Sequence, residues 1–247
     1  MSIQEQILRA IDAAAERLIE VSREIHGHPE LRFQEQFAVK TLTSALEAYG
    51  LAAQQPTGGL ETAFRTKFDR EPKPKIAILA EYDALPNGHA CGHNLIAGAA
   101  LRAAVGLAAV RDQLPGQVVL LGIPGEEPRV QRGYKDMRDN MTMARRFGEH
   151  LRAMGVEFQE KDPTAGSGST DMGDVSYAVP SIHPYMAICD IGESMCHQDT
   201  FVECANRPRG YQTMLDAAKA MALTAADLLA QPALLAAAKA EWARGQS

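Results

Sequence analysis

The chain has 247 residues, 46% of them hydrophobic, a formal net charge of −6 and a pI near 5.7. That is long enough for one large domain or two small ones, and the apolar content excludes global disorder. The absence of a basic block argues against nucleic acid as a partner, and the absence of an apolar run of bilayer length argues against a membrane-spanning segment.

Residues 3–26 carry Ile3, Ile7, Ile11, Ala14, Leu18, Val21 and Ile25 at steps of three or four, which predicts one amphipathic helix stopped by Gly27. The first six residues lack the basic start and apolar core of a secretion signal, so a cytoplasmic protein is expected. A second helix is expected over 34–48, before Gly50. Gly58-Gly59 opens a strand-like stretch to Phe68, and the charged, Pro-containing segment Asp69–Lys75 reads as a turn.

Ile76–Ala80 is a continuous apolar run, the pattern of a strand buried on both faces. Asn94–Val110 is rich in Ala and Leu and reads as a helix, and Gln117–Ile123 as the next buried strand. This strand–helix–strand order is a βαβ unit. Met137, Met141, Ala144, Phe147, Leu151 and Met154 predict a further amphipathic helix. Gly166–Asp171 reads as a loop able to present backbone N–H groups to an anion. Pro184–Cys189 reads as a strand, 208–230 as a helix, and the Ala-rich tail from 231 as a helix with little to anchor it. Together these elements predict an α/β fold, a mostly parallel mixed sheet with helices on both faces, in a single domain spanning residues 1–247.

The chemistry gathers near the ends of the two apolar strands. Glu81-Tyr82-Asp83-Ala84-Leu85-Pro86 and Gly88-His89-Ala90-Cys91-Gly92-His93 follow the first, and Glu126-Glu127 follow the second. Ligand sites of open α/β sheets lie at the carboxyl ends of their strands. Thiol, imidazole and carboxylate are the groups that hold zinc or a similar divalent ion. Adjacent Glu126 and Glu127 point in different directions, so one can bind metal while the other faces a water, splitting the roles of ligand and general base. Cys91 and His93 are close enough to reach one metal or bridge two. His197 is the best remaining imidazole.

Each feature has a plainer reading. A Glu pair on a turn is usually a solvated face. His26 and His28 suit a helix end and His150 a structural place beside an apolar stripe. A structural role is favoured for His183, and a place behind the ligands for His89. Cys189, Cys196 and Cys204 suit small core or loop positions. The four cysteines have no regular spacing, so reduced thiols are expected rather than a disulfide frame. A thiol hydrolase using Cys91 with His93 is a weaker alternative, since residues two apart on a tight turn seldom align as nucleophile and base.

Taken together, six segments resemble the M20 metallopeptidase/amidohydrolase family, in its aminobenzoyl-glutamate hydrolase and aminoacylase branch: Ser22–Glu30, Glu81–Pro86, Gly88–Asn94, Pro124–Glu127, Ser169–Val175 and the region around His197. The resemblance implies a three-layer, zinc-peptidase-like catalytic domain. It also implies a centre of two divalent ions, zinc or manganese, that cleaves the amide bond of an N-acyl or aminobenzoyl amino acid or a small peptide. By position, Cys91 would bridge the metals, with His93, Glu127 and His197 as further ligands. Glu126 would be the general base, and Asp83 would orient a ligand. Glu81 stands where other branches have a metal-binding His.

One departure is large. After the Glu pair, family members carry a Gly-rich segment with another ligand His, and then a lid domain. Here the chain runs through Pro128–Gly133 directly toward the next helix, so the lid is missing between about 128 and 134. The family usually forms homodimers through the lid, so a monomer with reduced metal occupancy and little activity is expected. The alternative is a catalytically inactive metal-binding or scaffold remnant of the same fold.

Overall fold

The computed structural model describes residues 1–67, 74–126, 134–159 and 170–245. Helices α1 (Ile3–Ala13) and α2 (Ala15–Gly27) replace the single helix expected over 3–26. Ser2 and Glu5 form a reciprocal capping box that starts α1. At the junction, the fully buried Arg102 donates to the Ala15 carbonyl. Apolar spacing continues across the break because both helices bury the same stripe, which is why periodicity alone did not register it.

Helix α3 (Gln36–Ala48) leads to the short strand β1 (Ala53–Gln54), then β2 (Phe64–Lys67) and β3 (Lys75–Glu81). Helix α4 (His93–Ala108) joins β3 to β4 (Gln117–Ile123). The sheet order is β1-β2-β4-β3. β3 and β4 run parallel, with Ile78 opposite Leu120, while β2 pairs antiparallel with both β4 and β1. The α/β class and the mixed sheet agree with the sequence reading, and the parallel βαβ pair is its longest ladder.

Burial is one-sided, unlike the expectation for Ile76–Ala80. Ile78, Ala80, Val118 and Leu120 face the main core under α4, whereas Leu79, Val119, Leu121 and Ile123 are half-buried and Ala77 is exposed. The short apolar run matched a doubly covered strand, but period-2 geometry sends alternate residues to a face that the described helices leave partly open.

Almost every residue of α4 is buried, against α1, α2, β3 and the long helix over Pro208–Ala230. Small residues permit this: a Cβ on Gly98 would sit 2.3 Å from Met214 Sδ, and one on Gly106 would sit 2.6 Å from Ile11 Cγ1. Helices α5 (Met141–Ala153), α6 (Met172–Ala178), α7 (Asp199–Cys204), α8 (Pro208–Ala230) and α9 (Pro232–Arg244) complete the described elements.

Two expectations in this half are corrected. Pro184–Cys189 forms no strand, and the nearby pairing is an isolated bridge between Asp139 and Ser181. Pro180 and Pro184 each lack the N–H that a ladder needs. The C-terminal helix α9 is firmly anchored: Glu241 accepts from Met141 N at 2.6 Å and Thr142 N at 2.8 Å, and Trp242 Nε1 donates to the Ser176 carbonyl at 2.9 Å. Among the described residues, no single helix is long and apolar enough to cross a membrane.

Candidate metal centre

β3 and β4 are parallel and end side by side, with Glu81 opposite Ile123. The chain leaving β3 therefore enters the same crevice as the chain leaving β4. Gly92, in the left-handed region at φ 75°, turns the backbone into the first residue of α4, which is His93. These three connections bring Glu81, His93 and Glu126 together, with one ligand atom from each lying within 4.8 Å of the others. All three side chains are buried.

His93 is held by Asp83. Its Nδ1 lies 3.0 Å from Asp83 Oδ1 and 2.9 Å from the Asp83 carbonyl oxygen. Both partners are acceptors, so Nδ1 carries the proton and donates. Nε2 then faces Glu81 Oε2 and Glu126 Oε2, each at 3.8 Å. The two carboxylates favour a proton on Nε2, and a cation taking that proton's place would find the imidazole lone pair and both carboxylates already facing it.

The electrostatics show the same strain. Burial, reinforced by Glu126, Asp171 and Asp83, pushes the Glu81 carboxyl up to about 8 against the opposing pull of His93. Burial acts to lower His93, but Asp83, Glu81 and Glu126 outweigh it and raise it to about 9. Asp171, at the start of α6, donates its backbone N–H to Glu126 Oε1 at 3.4 Å, and its own carboxyl is raised by burial and by Asp83. Asp171 Oδ1 is buried without a hydrogen-bond partner. Two buried carboxylates facing His93 Nε2, with Asp171 and its orphaned oxygen next to Glu126, are a donor set suited to a divalent ion.

The other sequence candidates fall as follows. Cys91 is half-buried on the turn before His93, and Glu127 lies outside the described residues. His197 is exposed at φ 74°, with its N–H on the Ala90 carbonyl at 2.9 Å. That bond lashes the His197 segment to the Cys91 turn, although neither Cys91 nor His197 belongs to the group gathered within 4.8 Å. His89 is buried, bonds the Ile25 carbonyl through Nε2 at 3.1 Å, and is lowered to about 4 by burial, His93 and His26. His28 bonds the Glu24 carbonyl at the end of α2, and His150 bonds Asp227 at 2.7 Å. Most of the expected anion loop at 166–171 lies outside the described residues; only Thr170 and Asp171 are described.

Glu81 is the residue that the sequence left without a role and the structure puts in the cluster. Its signal was position: it ends β3, two residues before Asp83. Asp171 had a weaker signal, the Ser169-Thr170-Asp171 segment noted above.

No family model matches the chain. Over 131 residues the chain is 45% identical to the Xaa-Arg dipeptidase of Mus musculus, covering 47% of this chain and 30% of that protein. Over 138 residues it is 37% identical to a subunit of the p-aminobenzoyl-glutamate hydrolase of Escherichia coli, covering 48% of this chain and 28% of that protein. Among solved structures, a dinuclear metal-binding peptidase of the M20 family from Bacillus subtilis aligns with 32% identity and a TM-score of 0.44, covering 47% of this chain and 36% of that one. The chain thus spans about a third of the length of the relatives it matches.

Proposed function

From the premise that this chain is related, over about half its length, to an Xaa-Arg dipeptidase and a p-aminobenzoyl-glutamate hydrolase subunit, we propose that it holds a divalent metal centre for hydrolysing a carbon–nitrogen bond. The substrate class is an N-acyl or aminobenzoyl amino acid, or a small peptide. The observation that carries this reading is the buried imidazole Nε2 of His93 facing Glu81 and Glu126, with Asp83 locking its other nitrogen.

His93 and Glu81 would hold the metal, joined by Cys91, Glu127 and His197 as the resemblance implies. The reading takes two ions, zinc or manganese. When bound, such ions supply Lewis acidity toward an amide carbonyl. The chain's own residues do the rest. Asp83 fixes the His93 tautomer and ring orientation. Glu126 accepts the proton of the attacking water and returns it to the leaving nitrogen. Its backbone carbonyl accepts from Tyr134 Oη at 3.0 Å, and the Asp171 N–H reaches its carboxylate, so the base has supports on two sides.

The test pairs metal content with turnover. Elemental mass spectrometry should find zinc or manganese bound, between one and two ions per chain given the missing ligand His, and His93→Ala should lose metal. Glu126→Gln should keep metal and lose hydrolysis of aminobenzoyl-glutamate, N-acyl amino acids and Xaa-Arg dipeptides. Metal retained without any turnover by the unaltered chain would favour the inactive metal-binding remnant instead. No metal uptake would reject the centre.

A further inference from the structure

A second cluster of ligand-type side chains lies away from the His93 centre. Cys189 follows the irregular segment after α6, Cys204 ends α7, and Glu193 sits on the turn between them. One ligand atom from each lies within 4.8 Å of the other two. We propose that Cys189, Cys204 and Glu193 form a site for a single soft divalent cation of the zinc class, distinct from the catalytic centre.

The geometry fits such an ion. Metal–sulfur and metal–oxygen bonds of about 2.3 and 2.1 Å set tetrahedral ligand separations of roughly 3.5–3.8 Å. The three groups therefore need to close by about an ångström at most. An oxygen for the fourth position is at hand, since the Ser194 carbonyl lies 3.8 Å from Cys189 Sγ. Cys204 is buried and Cys189 half-buried, so the sulfurs are shielded while the Glu193 side opens to solvent.

Glu193 is held in place before any ion arrives. Its Oε2 accepts from Asp190 N at 3.0 Å, and its Oε1 meets Arg207. Arg207 also meets Glu203 at 3.1 Å, and Arg209 meets Asp190. The charges balance on binding. Two thiols lose their protons to solvent, giving two thiolates beside one carboxylate, and a divalent ion leaves a single excess negative charge for Arg207 to offset. A purely structural pair of core thiols would explain Cys204 packed with Leu95, Ala99 and Tyr211. It does not explain an anchored carboxylate brought to the same point.

The site would staple the segment from Cys189 to Cys204, which carries His197. This gives that segment a fixed end on each side without regular secondary structure between Cys189 and α7.

The test uses the full chain, reduced, with cadmium as the probe. Cadmium in excess of three equivalents should produce a thiolate-to-metal absorption band and abolish iodoacetamide labelling of Cys189 and Cys204, read by peptide mass spectrometry on the unaltered protein. A band should persist in Cys91→Ser and be lost when Cys189→Ser or Cys204→Ala is added to that variant, with folding checked by circular dichroism. Labelling of Cys189 and Cys204 that persists with cadmium present would overturn the proposal, and because it is read on the unaltered chain it stands even if a variant fails to fold. Protection confined to Cys91 and Cys196 would also overturn it. So would a Cys189–Cys204 disulfide that forms on oxidation in a chain showing no cadmium protection when reduced.

Discussion

Asp83 grips the His93 imidazole twice at one nitrogen, through Oδ1 at 3.0 Å and through its backbone carbonyl at 2.9 Å. Those contacts decide which way Nε2 points, and so whether Glu81, Glu126 and His93 converge on one point. Asp83→Ala keeps the backbone acceptor and removes the charged one. Losing such a support behind a ligand typically costs about 10- to 100-fold in metal affinity. A competition titration against a chromophoric chelator should show that loss, and unchanged affinity would exclude Asp83 as the orienting group.

Glu241 of α9 offers both carboxylate oxygens to the first turn of α5, at Met141 N, Thr142 N and Thr142 Oγ1. It satisfies N–H groups that have no partner within the helix and places a negative charge at the positive end of its dipole. Glu241→Ala should destabilise the chain by about 1–2 kcal/mol, within the range of lost helix caps. Equilibrium urea unfolding gives the value, and no change in midpoint would mean that α9 is as loosely held as its Ala-rich sequence suggests.

Asp227 of α8 is nearly buried between Arg146, at 2.6 Å, and His150, at 2.7 Å, both on α5. Burial alone would raise its carboxyl, but these two partners hold it below the ordinary carboxylate range. A depressed folded pKa stabilises above the unfolded value of about 3.9 and is lost as the pH falls through the folded one. Asp227→Asn should therefore cost about 1.5–3 kcal/mol at neutral pH, as for a hydrogen bond to a charged group. The gap between wild type and variant should narrow as the pH falls below about 4, where Asp227 of the unfolded wild-type chain takes up its proton while the folded one still holds it off. A pH-independent gap would assign the effect to packing instead.

Gly122 of β4 lies directly across from Phe64 of β2, and a Cβ there would come within 2.1 Å of the Phe64 ring. The ring is fully buried and stacks on Tyr82 at 6.0 Å, so it has little room to move. Gly122→Ala should destabilise by about 1–3 kcal/mol, the usual range for overpacking. The same substitution should cost less in a Phe64→Leu background. A double-mutant cycle measures that coupling, and strictly additive effects would mean that the clash is relieved elsewhere.

Much of the architecture was legible in the residues themselves. Ile76–Ala80 and Gln117–Ile123 read as strands joined by a helix because apolar runs of that length, separated by an Ala-rich stretch, have few other folded solutions. The resemblance of Ser22–Glu30, Glu81–Asn94 and Pro124–Glu127 to one hydrolase family marked the same crevice, and Asp83, His93 and Glu126 meet there. Where the reading failed, the deciding contact came from a distant part of the chain. The break at Ala14 coincides with Arg102, and the anchoring of α9 depends on the start of α5, 99 positions away at Thr142. Neither leaves a local pattern.

The sequence by itself determined the α/β class, the position of the βαβ unit and the identity of the groups able to hold a metal, because periodicity and side-chain chemistry are local properties. Only the tertiary structure decided that Glu81 joins His93 and Glu126, that Asp83 stands behind the imidazole, and that Cys189, Cys204 and Glu193 come together. Convergence of side chains depends on strand register, on the turn at Gly92 and on which helices pack together. These are set by the whole folded chain and not by any one segment of it.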